Sequence, residues 1–137
     1  MSYLYGIKAE EIDEFWPQIR HLVEKPLIRT GAIKDFAPED VLHFIKNREM
    51  QCWVAHEEGK ILAVGVTQVL VYPQRKVLGM PFVGAESGTI KKWLEHFATF
   101  EEFARSMDCE CIRFWGRKGW ERLFKPTDSR IEFDIEV

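Results

Sequence analysis

The apolar period along this chain changes repeatedly, and each change marks a boundary between kinds of element. Residues 3–8 read as a short strand. From Glu10 onward, Ile12, Phe15, Trp16, Ile19, Leu22 and Val23 fall three or four apart, which is one face of a helix. Pro17 lies inside that pattern and should kink or restart the helix. Pro26 should end it, with Gly31 in the loop beyond. Pro38 at a first helical position opens a second helix, buried through Val41, Leu42, Phe44 and Ile45.

The pattern then turns β-like. Residues 51–56 form a short strand, and EEGK (57–60) is a turn in which Gly59 is free to take positive φ. ILAVGVTQVLV (61–71) is long, apolar and Val-rich, a well-buried strand. After the turn YPQRK, residues 77–83 complete an antiparallel meander. A helical period returns over 88–107, with Trp93, Phe97, Phe100, Ala104 and Met107 on one side and Ser87 as the N-cap. Residues 109–115 form a short strand. Residues 118–124 form a short helix, stopped by Pro126. RIEFDIEV (130–137) alternates strictly, with Ile131, Phe133, Ile135 and Val137 inward and Glu132, Asp134 and Glu136 outward, as a half-exposed strand does. The helix from Gly88 crosses over between strands 77–83 and 109–115 and makes them parallel neighbours. The expectation is a single α/β (α+β) domain over 1–137. Its sheet is mixed and mostly antiparallel, flanked by helices, in the order β-α-α-β-β-β-α-β-α-β.

Composition narrows the function classes. Apolar residues make up 46% of the chain and aromatics 13%, enough for a real core. The net charge is −3 with no basic block, so nothing electrostatic points to nucleic acid or an anionic membrane. No apolar run approaches the ~18 residues of a membrane span. No basic-then-apolar leader is visible, so the expected location is cytoplasmic. Three cysteines argue against a disulfide scaffold. Cys109 and Cys111 share one side of a strand at poor chelate spacing, and no metal site is expected.

The stretch FVGAESGTI (82–90) carries the candidate chemistry. It joins a strand to a helix through a small-residue turn bracketed by Gly84 and Gly88. Such a turn presents backbone N–H groups at a helix N-terminus, which suits a phosphate.

The element order resembles the GNAT acyltransferase fold over nearly the whole chain. CWVAHEEGKILAVGVTQV (52–69) resembles that family's second and third strands. FEEFARSMDCECIRFWGRKGWERLF (100–124) resembles the end of its third helix, its fifth strand and its fourth helix. WxA, TxxxxYPxxK, ExxAR and GRxGWxRL together resemble small GNAT-like proteins of phages and prophages. The resemblance implies transfer of an acetyl group from acetyl-CoA, or another acyl-CoA, to an amine acceptor. It implies that the loop after the fourth strand holds the CoA pyrophosphate, through Phe82, Val83, Gly84, Ala85, Ser87, Gly88 and Thr89. It also implies that the fourth and fifth strands splay to admit the pantetheine arm.

This chain departs from the family pattern. Val83 and Glu86 stand at two of the three defining positions of the family loop, Q/R-x-x-G-x-G/A, and only Gly88 fits. Phe124 stands where a Tyr commonly protonates the leaving thiolate. Pro81 deletes one strand N–H. A catalytically degenerate binding or structural protein, phage-derived, is therefore the alternative reading.

Glu86 is the one catalytic candidate, as a base, against the plainer reading of a solvated loop carboxylate. His21, His43 and His56 read as structural or surface groups. Arg113, Arg117 and Arg122 read as a phosphate or acidic-substrate cluster, or as a salt-bridged surface. Trp115 and Trp120 read as core, and Gly116 and Gly119 as a tight turn. The acidic edge of the last strand makes a second copy, and hence a homodimer, a candidate partner.

Overall fold

The structure is a computed structural model that describes residues 1–115 and 120–137. Five strands form one sheet in the spatial order β1 (Tyr3–Ile7), β2 (Gln51–Glu57), β3 (Lys60–Val71), β4 (Lys76–Ala85) and β5 (Cys111–Phe114). The first four pair antiparallel, and β4 and β5 are parallel as expected. The β2–β3 hairpin turns on Glu58 and Gly59, both at positive φ (51° and 76°). Helices α1 (Ile12–Thr30) and α2 (Pro38–Lys46) cover one face. Their core includes Val54, Val64, Val66 and Phe82. Helices α3 (Ile90–Leu94), α4 (Phe97–Ser106) and α5 (Trp120–Phe124) lie on the other side with Ala55, Ala63, Met80 and Val83. Adjacent strand residues thus feed opposite cores, as the pleat requires. Among the described residues no helix is long and apolar enough to cross a membrane.

Helix α1 does not stop at Pro26. It runs 19 residues, through both prolines, to Thr30. A proline at position 26 leaves the Leu22 carbonyl without its usual N–H partner. That carbonyl faces β4. A Cβ built on Gly84 would lie 1.7 Å from the Leu22 oxygen and 3.1 Å from Pro26 Cδ. The helix therefore crosses β4 at backbone contact, over a residue that has no side chain. Gly84 is a strand residue, not a turn residue, because β4 extends through Ala85 into the expected loop. The opposite face has a matching contact, where a Cβ on Gly65 would fall 2.2 Å from the Trp93 ring.

Three other expectations are corrected. The helix expected over 88–107 is two helices, broken at Glu95 and His96. Both residues at the break reach Ser2: its hydroxyl lies 2.9 Å from His96 Nε2 and 3.2 Å from Glu95 Oε2. The N-cap of α3 is Thr89 and not Ser87, because the turn Glu86–Thr89 closes first through Thr89 N–H donating to the Glu86 carbonyl. Residues 130–137 form no strand, and Ile131 and Phe133 are each 81% exposed. Their alternation encodes the ability to pair, but among the described residues no strand pairs with them. The turn expected at Gly116 and Gly119, Arg117 of the arginine cluster, and the start of the last helix at Lys118 lie outside the described residues.

The α1–β4 contact predicts that Gly84→Ala lowers the unfolding free energy by about 3 kcal/mol or more, because backbone and not a flexible side chain must move. Urea denaturation of both proteins checks this. An unchanged midpoint would mean that α1 lifts off β4 without cost.

Candidate functional site

Strand β4 outruns β5. Their pairing ends at Met80 opposite Phe114, and β4 continues for five residues, Pro81 to Ala85, with no strand paired on that side among the described residues. The start of this free stretch is bulged. Two β4 residues, Met80 and Pro81, stand opposite one on β3, Thr67, between the pairs Gly79–Gln68 and Phe82–Val66. A bulge tolerates Pro81, which can give no ladder hydrogen bond.

The alternation of the backbone settles which groups face the open side. Glu86 N–H donates to the Leu62 carbonyl at 2.8 Å. Even-numbered residues here therefore turn their backbone groups toward β3, and odd-numbered ones turn them away. Val83 and Ala85 consequently present N–H and C=O to the open edge. Both carbonyls already have partners from α1: Arg29 Nη2 donates to the Val83 oxygen at 3.1 Å, and Lys25 Nζ to the Ala85 oxygen at 3.1 Å.

The loop Glu86–Thr89 follows. Gly88 has φ 78°. The Thr89 hydroxyl is 2.8 Å from the Leu62 carbonyl and 2.7 Å from the Glu86 carbonyl, so it ties the loop to β3. Ser87 and Gly88 are exposed at the tip. Glu86 turns toward α1, with Oε2 3.3 Å from His21 Nε2 and Oε1 4.0 Å from Lys25 Nζ. His21, Lys25 and Arg29 form a ladder at i, i+4 and i+8 on one helix face. Sequence reasoning named His21 only as a structural or surface group and passed over the other two. The signal was their spacing, which stood beside the apolar stripe of the same helix.

The remaining candidates separate. Phe82 is buried beneath α1 and α2, its ring 5.9 Å from Phe36, while Val83 is buried on the other face. Their side chains build the core, and only backbone reaches the edge. Phe124 packs in an aromatic group, its ring 4.7 Å from Phe114 and 5.1 Å from Phe97, with Trp120 5.9 Å away. Arg113 donates to the Tyr72 hydroxyl at 2.9 Å and lies over its ring. Arg122 is exposed on α5. His43 bonds Asn47 on the surface, and His56 stacks on Tyr3. Burial pushes the Cys52 thiol up to about 12 and raises that of Cys109, so neither is an activated thiolate. Among the described residues no group of side chains could hold a metal ion.

Ser2, Glu95 and His96 have the residue types of a nucleophile relay but not its geometry. Glu95 contacts the serine and not the far ring nitrogen of His96. The group ties the break between α3 and α4 to the start of β1.

No family model matches the chain, and no curated protein matches it in sequence. Solved structures do match its fold. An aminoglycoside acetyltransferase from an uncultured soil metagenomic sample aligns at 13% identity over 99% of this chain and 95% of its own, with TM-score 0.69. Glucosamine-6-phosphate N-acetyltransferase from Arabidopsis thaliana aligns at 16% identity over 99% and 98%, also with TM-score 0.69. A predicted acetyltransferase from Clostridium acetobutylicum, solved with acetyl-CoA, aligns at 14% identity over 98% and 96%, with TM-score 0.68. The chain thus has the GNAT acetyltransferase fold.

One pH dependence follows from the Ser2 tie. Burial holds the His96 pKa below its ordinary 6.5, Glu95 opposes that shift and His56 adds to it. As pH falls, the unfolded chain takes up this proton before the folded one does. Stability contributed by neutral His96 should therefore be complete above pH ~6.5 and decline as pH drops below it. Melting temperature measured from pH 5 to 8 should show this slope, and His96→Gln should flatten it. A slope that persists in His96→Gln would assign it elsewhere.

Proposed function

We propose that the protein is a CoA-dependent N-acyltransferase, moving an acetyl or other acyl group from acyl-CoA to an amine in the cytoplasm. The observation that carries this reading is the open edge of β4. In a fold shared with acetyltransferases, the pairing of the two parallel strands ends at Met80 among the described residues, and alternate backbone groups of β4 beyond it face away from β3. An amide-bearing chain such as pantetheine can pair with such an edge as a strand would. Val83 and Ala85 are its backbone partners, with Lys25 and Arg29 swinging off their carbonyls. The loop tip, Ser87 and Gly88, together with His21 and Lys25, would hold the diphosphate. Glu86, the candidate base, acts on this reading as an electrostatic partner of α1. The acyl-CoA supplies an activated thioester, which the amine attacks and whose thiolate then leaves. Phe124 donates no proton, so the attacking amine releases its proton to solvent and the leaving thiolate takes one from solvent, and positioning of the reactants supplies most of the rate.

A second reading rests on Arg29 and Lys25. As found, they occupy the acceptors that a pantetheine arm would use. If they stay, the domain is a catalytically silent binding or structural protein, of the kind its phage-like motifs resemble.

Thermal shift with millimolar acetyl-CoA separates the two, because a ligand bound only by the native state raises the melting temperature. A rise is expected, and no shift would sink the enzyme reading. Calorimetric titration of Glu86→Gln should show CoA binding about 3- to 10-fold tighter than wild type, since removing one charge leaves His21 and Lys25 uncompensated near the phosphates. Weaker binding would show that the carboxylate holds the loop in shape.

A further inference from the structure

The place of the acceptor follows from where the acyl group stops. On the acyltransferase reading, a pantetheine arm pairs with the free stretch of β4 and ends where β5 takes over that edge, at Met80 and Phe114. An amine can approach this point from either face of the sheet. The face under α3 to α5 is filled. The Phe114 ring lies 4.7 Å from Phe124, 6.1 Å from Phe97 and 5.9 Å from Trp120.

The other face has a thin floor. Paired residues share a face, so Gln68, Gly79 and Arg113 stand side by side there. A Cβ on Gly79 would lie 3.1 Å from Leu70 Cδ1 and 3.3 Å from the Trp115 ring, so even a methyl group would crowd both. Helix α1 crosses β4 further along, over Gly84. Trp115 and Tyr72 border this shelf and are 40% and 41% exposed.

The far end of the shelf is cationic. Arg113 Nη1 donates to the Tyr72 hydroxyl at 2.9 Å, and its guanidinium carbon lies 5.2 Å from the centre of the Tyr72 ring. A phenol fixes the guanidinium without neutralising it. Arg75 lines the same cleft, in the turn closed by Tyr72 N–H on the Arg75 carbonyl. Among the described residues neither arginine has a carboxylate partner. The tail beside them supplies none, since Asp128 pairs with Arg130. Tyr72 lies just past the Val71–Lys76 pair, so the guanidinium on its ring is on the order of 10 Å along the strand from Met80.

We infer, resting on the acyltransferase reading, that the acceptor is a small amine with an oxyanion, a carboxylate or a phosphate, at its other end. Arg113 and Arg75 hold the oxyanion, Trp115 covers the middle, and the amine reaches the thioester over Gly79. Its nitrogen bonds to the acyl carbon and loses a proton to solvent. The carbon–sulfur bond breaks with its electrons on sulfur, which takes a proton from solvent. A diamine would instead set an ammonium against two guanidiniums.

CoA release from acetyl-CoA tests this with amines of similar length: ε-aminocaproate, its primary amide, cadaverine and aminohexyl phosphate. An acid should exceed the amide by about 10-fold or more in kcat/KM, with cadaverine slowest, and the faster acid names the group. Arg113→Gln should bring the acid-to-amide ratio to about one, and Arg113→Lys should restore part of it. A purely structural role would slow acid and amide alike. Amide or cadaverine turned over as fast as the acids would overturn the inference. So would a ratio that survives Arg113→Gln, or no turnover of any of these amines by protein whose melting temperature acetyl-CoA raises. No rise with acetyl-CoA would sink the acyltransferase reading itself, and the acidic acceptor with it.

Discussion

The contact between the Leu22 carbonyl and Gly84 is the constraint from which the rest of the molecule follows. A proline within a helix ordinarily costs about 3 kcal/mol, through a lost hydrogen bond and a clash with the preceding turn. Here the carbonyl freed by Pro26 sits where β4 has no side chain, so the two irregularities fit together. Backbone contact draws α1 so close to β4 that its polar side chains reach the strand's edge. Lys25 and Arg29 are long enough to bond the Ala85 and Val83 carbonyls only because the helix lies this low. The same approach puts His21 and Lys25 beside Glu86. A helix held at ordinary distance by a residue larger than glycine would leave the carbonyls to water and the loop carboxylate without its partners.

This arrangement sets a structural use of β4 against a functional one. A strand edge exposed to water invites aberrant pairing, and covering it with cationic side chains is one of the usual protections. The same carbonyls are what a ligand with amide groups would seek. The two uses are compatible where the covering groups can be displaced. Lys25 and Arg29 are exposed long side chains, and each bond to a neutral carbonyl is worth about 1–3 kcal/mol at most. A ligand that carried phosphate would offer the same cations a stronger partner. The edge can then open in response to the ligand's own charge.

Much of the fold was legible in the sequence because periodicity reports burial directly. The α1 stripe, the Val-rich β3 and the two-residue turn at Glu58 and Gly59 all lie where the pattern put them. The failures share one cause, that a tertiary contact decided a local question. Pro26 reads as a stop until Gly84 is seen beneath Leu22. The break at His96 has no signal in the helical stripe, since Trp93, Phe97 and Phe100 keep their spacing across it, and Ser2 comes from the far end of the chain. Residues 130–137 alternate as a strand should, but alternation names no partner. At the site, position was legible and role was not. FVGAESGTI does join a strand to a helix, yet Phe82 and Val83 serve the core with their side chains. The cations that reach its backbone come from α1, 60 and 54 residues earlier.

Glu86 shows how far a single-residue argument depends on its neighbours. Taken alone, a carboxylate in a phosphate loop is a repulsion. In place it lies between His21 and Lys25, and all three are exposed enough for water and salt to weaken their fields. The ammonium of Lys25 offsets the charge of the carboxylate. The carboxylate also holds Lys25 near the Ala85 carbonyl, where the covering of the β4 edge begins. An acidic residue at this position therefore need not repel a phosphate. It sets how much positive charge the loop shows and how firmly α1 covers the strand, and a glycine there would do neither.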